Sequence, residues 1–240
     1  MKPMAVDVLN KTNIVGVIAS DEDARVAWGN PTIADVFEWR LDYCMSPETV
    51  TRVMEIMSFR PVIITVRDHR EGGKQEWDAA TRIALYKKYM HLACFIDVEA
   101  STAHEMTEVI ELAQREGVGV IISQHVFDGL WTPSQTTVWA QVCTRVKGDI
   151  FKVALLPDSL AEYGEFLACV GILKSNMYPI RVTSMAIGTQ YGKISRIVAA
   201  LDGAVLVYGY LNKAPVEGQF QVQELKMLLT SFTSVPANAS

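Results

Sequence analysis

The chain has 240 residues, of which 50% are hydrophobic and 20% are charged, and its formal net charge at pH 7 is -5. This composition excludes a disordered chain, a collagen and a disulfide-rich miniprotein, and it is sufficient for one large domain with a substantial core. The negative charge argues against a general nucleic-acid or membrane-surface binder, although a local basic site for a small anion is still allowed.

Targeting signals and metal-binding motifs are missing from the sequence. No apolar run has the length of a membrane span, and residues 1–13 lack the apolar core of a signal peptide. Cys44, Cys94, Cys143 and Cys169 are widely spaced and form no Cys/His cluster, which argues against a zinc site. We therefore expect a cytoplasmic protein with buried, reduced thiols and no metal.

Short apolar runs recur along the chain and alternate with helical patterns. Most of the runs are almost continuously apolar, which is typical of parallel strands that are covered on both faces. We predict eight strands, at residues 14–19, 36–42, 62–67, 94–99, 118–124, 150–155, 179–183 and 204–208. Eight strand–helix units in a chain of this length predict an α/β fold, a single (β/α)8 TIM barrel over residues 1–240.

Capping residues between these strands predict where helices begin and end. Ser, Thr and Asp side chains accept hydrogen bonds from the first helical turn, and glycine terminates helices because it adopts left-handed backbone conformations. We predict helix starts at Ser46, Thr102, Ser134 and Asp158, helix ends at Gly117 and Gly148, and a last helix at residues 221–232.

The competing architecture is an open, doubly wound sheet. Such a sheet carries a glycine-rich turn after its first strand, where a nucleotide phosphate binds. Here the first predicted strand is followed by an acidic segment without glycine, at residues 20–23. The sequence therefore favours the barrel and predicts no nucleotide phosphate at this turn.

Charged side chains lie at the end of the second predicted strand, where barrel enzymes carry their chemistry. Alternation along the strand places Glu38, Arg40 and Asp42 on one face. A row of buried charges is costly unless its members pair with one another or bind a ligand. This strand therefore predicts either a structural ion pair or part of a binding site.

The third and fourth predicted strands also end in charged residues. Arg67 is followed by residues 68–73, a charged loop that contains Glu71 and two glycines. Asp97 and Glu99 share one face of the fourth strand, and without a histidine at ligand spacing they favour a structural role in holding a lysine or arginine. The loop after Arg67, taken alone, is more typical of a solvated turn.

His125 is the histidine that ends a predicted strand. His69, His91 and His104 fall in loop or helix patterns, where we expect them to be solvated. A histidine titrates near neutral pH and can transfer protons, so His125 is the candidate acid–base group.

Lys152 lies inside an apolar strand, where lysine is rare. A buried neutral amine can attack a carbonyl carbon and form an imine. The competing interpretation is a buried ion pair with Asp97 or Glu99. Both interpretations can hold at once, because an acid can position the amine.

Two loops complete the predicted barrel mouth. Residues 188–192 contain two glycines and lead into a helix with Arg196, an arrangement that can bind an anion. Residues 209–219 form a long polar loop that ends at Gln219, which predicts a lid over the site. Lysine, histidine and several arginines at one mouth suggest imine chemistry on a substrate that carries a carboxylate or phosphate.

Seven short segments match one known enzyme family in content and in order. They are residues 38–42, Arg67 with residues 71–73, and residues 96–99, 123–127, 151–154, 194–196 and 218–219. Over nearly its whole length the chain resembles the type I 3-dehydroquinate dehydratases of the shikimate pathway. The resemblance implies a cofactor-independent hydro-lyase that acts on 3-dehydroquinate, and it adds the expectation of a homodimer.

The resemblance also implies roles for individual residues. Lys152 would form the imine with the substrate ketone, His125 would move the protons, and Glu71 would orient His125. Arg196 would pair with the substrate carboxylate. The remaining substrate contacts would be Glu38, Arg40, Arg67 and Gln219.

The chain departs from the family pattern in two loops. Four residues before Gln219, where the family usually carries a substrate-binding serine, this sequence has Pro215, which offers no donor. The loop after the seventh strand is longer and more polar than usual. The residues expected to carry the imine chemistry are unaffected by either change.

Two other functions stay open on the sequence alone. One is a class I aldolase or another lysine-imine lyase on the same barrel, which would turn over a substrate such as a sugar phosphate. The other is a non-catalytic relative that binds a quinate-like ligand. Such a relative would be stabilised by its ligand without forming product.

Overall fold

The apolar runs form one parallel sheet in the computed structural model, which describes residues 5–127, 131–176 and 180–233. Its strands are β1 (Asn13–Ile18), β2 (Val36–Arg40), β3 (Val62–Thr65), β4 (Phe95–Glu99), β5 (Gly119–Val126), β6 (Ile150–Leu155), β7 (Arg181–Ala186), β8 (Leu206–Tyr210) and β9 (Phe220–Gln221). The order in the sheet is β7-β6-β5-β4-β3-β2-β1-β8-β9. The sheet curls round so that β7 and β8 approach each other. Leu206 N in β8 donates to Thr183 Oγ1 in β7 at 3.2 Å.

From α1 to β8 helices alternate with the strands, as the barrel prediction requires, and β9 follows β8 without a helix between them. They are α1 (Ala5–Leu9), α2 (Asp21–Gly29), α3 (Pro47–Ile56), α4 (Ala79–Tyr89), α5 (Thr107–Arg115), α6 (Pro133–Arg145), α7 (Leu160–Asn176), α8 (Gly192–Leu201) and α9 (Val222–Thr233). Single 3-10 turns occur at His69–Glu71, Met90–Leu92 and Ala100–Thr102. The predicted α/β barrel is confirmed.

The apolar core has two layers because successive strand residues face opposite sides of the sheet. Phe37 and Trp39 of β2 belong to the layer between strands and helices. Ile63, Phe95 and Ile121 belong to the layer inside the barrel. Full burial of each such side chain stabilises the fold by roughly 1.5–3 kcal/mol. This inner layer lies toward the amino-terminal ends of the strands, so the opposite half of the interior is available to polar groups.

The structure adds β9, a ninth strand that was not predicted, and shifts most of the predicted strand ends by one to three residues. The predicted strand at 179–183 corresponds to β7, which extends to Ala186, while Pro179 lies outside the described residues. Residues 184–186, which the prediction left outside the strand, are buried within β7. Because β8 extends to Tyr210, the loop predicted at 209–219 begins at residue 211.

The helix caps are partly as predicted. Ser46 caps α3, and Gly117 adopts a left-handed φ of 68° after α5. The other predicted starts were wrong. Helix α5 begins at Thr107, after Met106, whose side chain forms no capping hydrogen bond. Thr132 caps α6, and Ser159 Oγ accepts from Glu162 N at the start of α7. The end predicted at Gly148 was also wrong, since α6 ends at Arg145 and Lys147 takes the left-handed conformation.

Two further expectations concern the thiols and the membrane. Cys94, Cys143 and Cys169 are buried, as expected, whereas Cys44 is half-buried. None of the helices in the described part of the chain is long and apolar enough to cross a membrane.

Candidate active site

The carboxyl-terminal half of the barrel interior is polar. Lys152 on β6 is in register with Ser123 on β5 and with Thr183 on β7. Thr65 on β3 is in register with Asp97 on β4. All five residues are buried. Buried polar groups are stable only when they are hydrogen-bonded or paired, so their partners show how this half of the barrel is held.

On β2, Arg40 pairs with Asp42 rather than with Glu38. Its Nε lies 2.8 Å from Asp42 Oδ1 and its Nη2 lies 2.7 Å from Oδ2, a bidentate pair. Asp42 Oδ2 also accepts from Lys74 N at 3.0 Å. Glu38 instead accepts from Thr65 Oγ1 at 2.8 Å and faces Lys152. The row of charges therefore combines a structural pair with a carboxylate that reaches the lysine.

Arg67 is held by the two acids of β4. Its Nη1 lies 2.6 Å from Glu99 Oε1 and 3.0 Å from Asp97 Oδ1, and it donates to Ser123 Oγ at 2.7 Å. The structural role predicted for Asp97 and Glu99 is thereby confirmed. Two carboxylates balance this guanidinium, so the cavity wall is less cationic than its arginines alone suggest.

The Lys152 amine is flanked by two carboxylates. Its Nζ lies 2.6 Å from Asp97 Oδ2 and 3.4 Å from Glu38 Oε1. Burial alone would raise the pKa of the Asp97 carboxyl, but the positive charges of Arg67 and Lys152 hold it below its ordinary value. The predicted buried ion pair exists, and it positions the amine in the cavity wall.

His125 and Glu71 form a second hydrogen-bonded pair. His125 Nδ1 lies 3.1 Å from Glu71 Oε2, and the backbone N of His125 donates to the same oxygen at 2.9 Å. Ser101 Oγ and Gln124 Nε2 donate to Glu71 Oε1 at 2.6 Å and 3.0 Å. Four hydrogen bonds therefore fix the Glu71 carboxylate beside the imidazole.

The surroundings shift the pKa of both members of this pair. Burial raises the pKa of Glu71 to about 7. Burial, together with the positive charges of Arg67 and Lys152, holds the pKa of His125 well below its ordinary value. The imidazole is consequently neutral near pH 7. When Glu71 is ionised, the Nδ1–H group donates to it and Nε2 is the basic nitrogen.

Arg196 differs from the other buried arginines of the cavity. It lies on α8, where its Nη1 donates to Gly192 O at 2.8 Å and to Ala186 O. In residues 5–127, 131–176 and 180–233, no carboxylate contacts the Arg196 guanidinium. Burial lowers its pKa to about 10, so it stays charged near pH 7. This unbalanced cation fits an anionic group on a ligand.

One cavity joins these groups. Its volume is ≈ 70 Å³. The site residues predicted from the sequence all line it: Glu38, Arg40, Arg67, Glu71, His125, Lys152, Arg196 and Gln219. Over the described residues there is no cluster of three or more His, Cys, Asp or Glu side chains that could hold a metal ion.

The loop at residues 211–219 forms one side of the cavity, through Pro215, Val216 and Gln219. Gly218 has a left-handed φ of 79°, and a Cβ atom there would lie 1.9 Å from Gly188 O. Only glycine can make this contact between the loop and the segment after β7. Gln219 Oε1 is buried and accepts no hydrogen bond from the described residues, so it is available to a ligand donor.

Sequence reasoning missed Tyr208, which also lines the cavity. Its hydroxyl lies 3.4 Å from Lys152 Nζ, and its ring centroid lies 4.5 Å from the same atom. A tyrosine in an apolar strand has the same sequence pattern as an ordinary core residue, so nothing marked Tyr208 as part of a site. Counting alternate positions along β8 would have shown that it faces the barrel interior with Leu206.

Comparison with known families identifies the family of the chain. The sequence profile of the type I 3-dehydroquinases matches residues 16–235. The chain belongs to this family. Family members are hydro-lyases, so the predicted class, a lyase that eliminates water, is confirmed.

Individual relatives are similar over most of the chain. A 3-dehydroquinate dehydratase from Latilactobacillus sakei is 31% identical over 204 residues, which are 82% of this chain and 83% of the relative. One from Enterococcus faecalis is 26% identical over 231 residues, covering 91% and 90%. The crystal structure of the type I enzyme from Clostridium difficile covers 94% of both chains with a TM-score of 0.82 at 22% identity, which supports the same barrel fold.

Proposed function

We propose that the chain converts 3-dehydroquinate into 3-dehydroshikimate and water through an imine on Lys152, as a step of the shikimate pathway. One observation carries this proposal: Lys152, the His125–Glu71 pair and the unbalanced cation Arg196 all line a single cavity. The substrate, 3-dehydroquinate, is inferred from membership of the family.

The proposed binding mode follows the charges of the cavity. Arg196 would pair with the substrate carboxylate, since its guanidinium has no carboxylate partner among the described residues. The substrate hydroxyls and carboxylate would contact Glu38, Arg40, Arg67 and Gln219, which line the same cavity.

Imine formation then begins at Lys152. The ammonium gives one proton to Glu38, 3.4 Å away, since the pKa of Asp97 is held low and Asp97 keeps its charge. The amine nitrogen forms a bond to the ketone carbon, and the carbonyl π electrons move to oxygen. Nitrogen passes a proton to that oxygen, and Glu38 returns the other, so the oxygen leaves as water and a protonated imine remains.

Elimination uses His125. The protonated imine acidifies the neighbouring carbon, and the neutral imidazole removes a proton from it while the electron pair moves toward nitrogen. The substrate hydroxyl then leaves with the proton that His125 carries. Water hydrolyses the conjugated imine, which releases 3-dehydroshikimate and restores Lys152. Glu71, ionised, holds the imidazole in the required tautomer.

The loop at residues 211–219 is proposed to act as a lid on a single catalytic barrel. Pro215 and Val216 already line the cavity, and Pro215 supplies no hydrogen-bond donor to the substrate. The resemblance to the family supports a cytoplasmic homodimer as part of the same proposal, and light scattering of the purified protein measures the oligomeric state.

The test replaces the amine. We expect Lys152→Ala to abolish dehydration of 3-dehydroquinate, measured by the enone absorbance of the product, because no imine can form. His125→Ala should lose turnover but still yield a borohydride-trapped adduct on Lys152, detected by mass. Lys87→Ala is the matched control, since Lys87 is exposed and pairs with Glu108 outside the barrel.

Normal turnover by Lys152→Ala would contradict the proposal. Turnover of a sugar phosphate in place of 3-dehydroquinate would favour the aldolase alternative. Stabilisation by a quinate-like ligand with neither product nor adduct would favour the non-catalytic relative.

A further inference from the structure

Tyr208 places a hydroxyl group beside the nucleophile. Its ring is buried in β8, and Lys152 Nζ donates to its Oη at 3.4 Å. In the described part of the chain, the Tyr208 hydroxyl donates no hydrogen bond to another residue. Its proton is therefore available to a ligand in the cavity that Tyr208 lines.

The two charged side chains close to Lys152 Nζ are carboxylates rather than hydroxyl groups. Asp97 Oδ2 and Glu38 Oε1, at 2.6 Å and 3.4 Å, are carboxylate oxygens that accept hydrogen bonds and repel a negative oxygen. When the amine adds to a ketone, negative charge develops on the former carbonyl oxygen, two bonds away from Nζ. In the proposed mechanism Asp97 keeps its charge, and Glu38 takes up one proton only to deliver it to the leaving oxygen. Of these three neighbours, Tyr208 is therefore the one whose O–H group can donate throughout the step without losing its proton.

We propose that Tyr208 is a further catalytic residue, whose hydroxyl donates a hydrogen bond to the substrate oxygen while the carbinolamine on Lys152 forms and breaks down. The inference rests on the proposed imine chemistry. The C–N bond forms, the C=O π pair moves to oxygen, and the phenol stabilises that oxygen without losing its proton. The proton balance described for imine formation is unchanged.

The environment of Tyr208 suits a donor that keeps its proton. Burial raises the pKa of the phenol well above its ordinary value, and the nearby acids Glu38 and Asp97 act in the same direction. The Tyr208 ring also contacts the amine. Its centroid lies 4.5 Å from Nζ, so the ring would hold the amine in place even without the hydroxyl.

The experiment separates the hydroxyl from the ring. Tyr208→Phe keeps the ring and removes the donor. We expect the rate at which borohydride-trapped adduct appears on Lys152 in single turnover with 3-dehydroquinate to fall roughly 100-fold, as for loss of one oxyanion donor. Substrate affinity from equilibrium binding should be unchanged. Tyr89→Phe is the matched control, since Tyr89 is buried against Trp39 on the outer face of the barrel.

The outcomes are distinct. If Tyr208→Phe traps adduct at the wild-type rate, the role of Tyr208 is overturned while the proposed function stands. If the wild-type protein forms no adduct on Lys152, the proposed function fails and this inference fails with it. Should Tyr208→Phe not fold by circular dichroism, Tyr208→Met also lacks the hydroxyl and is judged by the same rate.

Discussion

In the proposed mechanism, the His125–Glu71 pair makes proton transfer dependent on pH. The imidazole is neutral near pH 7 because burial and two cations hold its pKa low, whereas burial raises the pKa of Glu71 to about 7. Below that pH, Glu71 takes up a proton and can no longer accept from Nδ1–H with full charge. The correct tautomer of His125 therefore depends on the ionisation of Glu71.

We expect kcat/KM to rise with pH up to about 7 and then level off, because ionised Glu71 is the active form. Glu71→Gln should be slower near pH 7 but should lose this acidic limb, since an amide does not titrate. Steady-state rates from pH 5.5 to 8.5 measure the effect. Glu116→Gln, at an exposed position after α5, should keep the wild-type profile, and a persistent limb in Glu71→Gln would show that another group titrates.

At the residue scale, the sequence predicted the charged part of the site and the pairing of Lys152 with Asp97, but not how the charges of β2 pair. Charges at strand ends could be read from alternation, which is a local property. That Arg40 pairs with Asp42, while Glu38 turns to Lys152, depends on how neighbouring strands bring side chains together. Tyr208 was missed because an aromatic residue in an apolar run has the same signature as a core residue.

At the scale of elements, strand positions were predictable and helix starts were less so. A buried parallel strand is a run of several apolar residues, so an error of two positions leaves it recognisable. A cap is a single residue, and several capping candidates stood side by side. Thr132 and Ser134 stand on either side of Pro133, the first residue of α6, and the hydrogen bonds of Thr132 with Gln135 decide between them. Which of the two residues caps the helix depends on backbone geometry, which cannot be derived from composition.

The loop at residues 211–219 is held over the cavity by the contact between Gly218 and Gly188. We expect Gly218→Ala to lower kcat/KM by about 100-fold, because the added Cβ would overlap Gly188 O and shift Gln219 away from the substrate. Steady-state kinetics and a thermal unfolding curve measure the effect on activity and on stability.

Gly203→Ala is the matched control for this change. Gly203 has almost the same left-handed φ, 78°, but an added Cβ would meet no atom within 4 Å. Both variants should therefore lose about 1 kcal/mol of stability through backbone strain, and only Gly218→Ala should lose activity. Equal kcat/KM values for the two variants would show that the contact between Gly218 and Gly188 is not needed for activity.

On the scale of the whole molecule, most of the buried charge is balanced even though the chain as a whole is acidic. Asp97 and Glu99 of β4 hold Arg67 inside the barrel, and Glu99 also holds Arg82 of α4 from the other side. Arg82 has 1% of its surface exposed, and its Nε donates to Val66 O at 3.0 Å. Its Nη1 lies 3.0 Å from Asp68 Oδ2. This side chain connects α4 to the ends of β3 and β4, and no local sequence pattern predicts that connection.

Loss of Arg82 should therefore destabilise the whole fold rather than one loop. We expect Arg82→Ala to lower the free energy of unfolding by about 3–5 kcal/mol, because Glu99 and Asp68 lose a buried partner. Urea unfolding should show a lower midpoint with an unchanged slope, and the melting temperature should fall by about 10 °C. Arg25→Ala removes an exposed pair with Glu22 and should cost less than about 1 kcal/mol. If the two variants were equally stable, the Arg82 network would contribute no more than a surface ion pair, and the barrel would depend on its apolar layers alone.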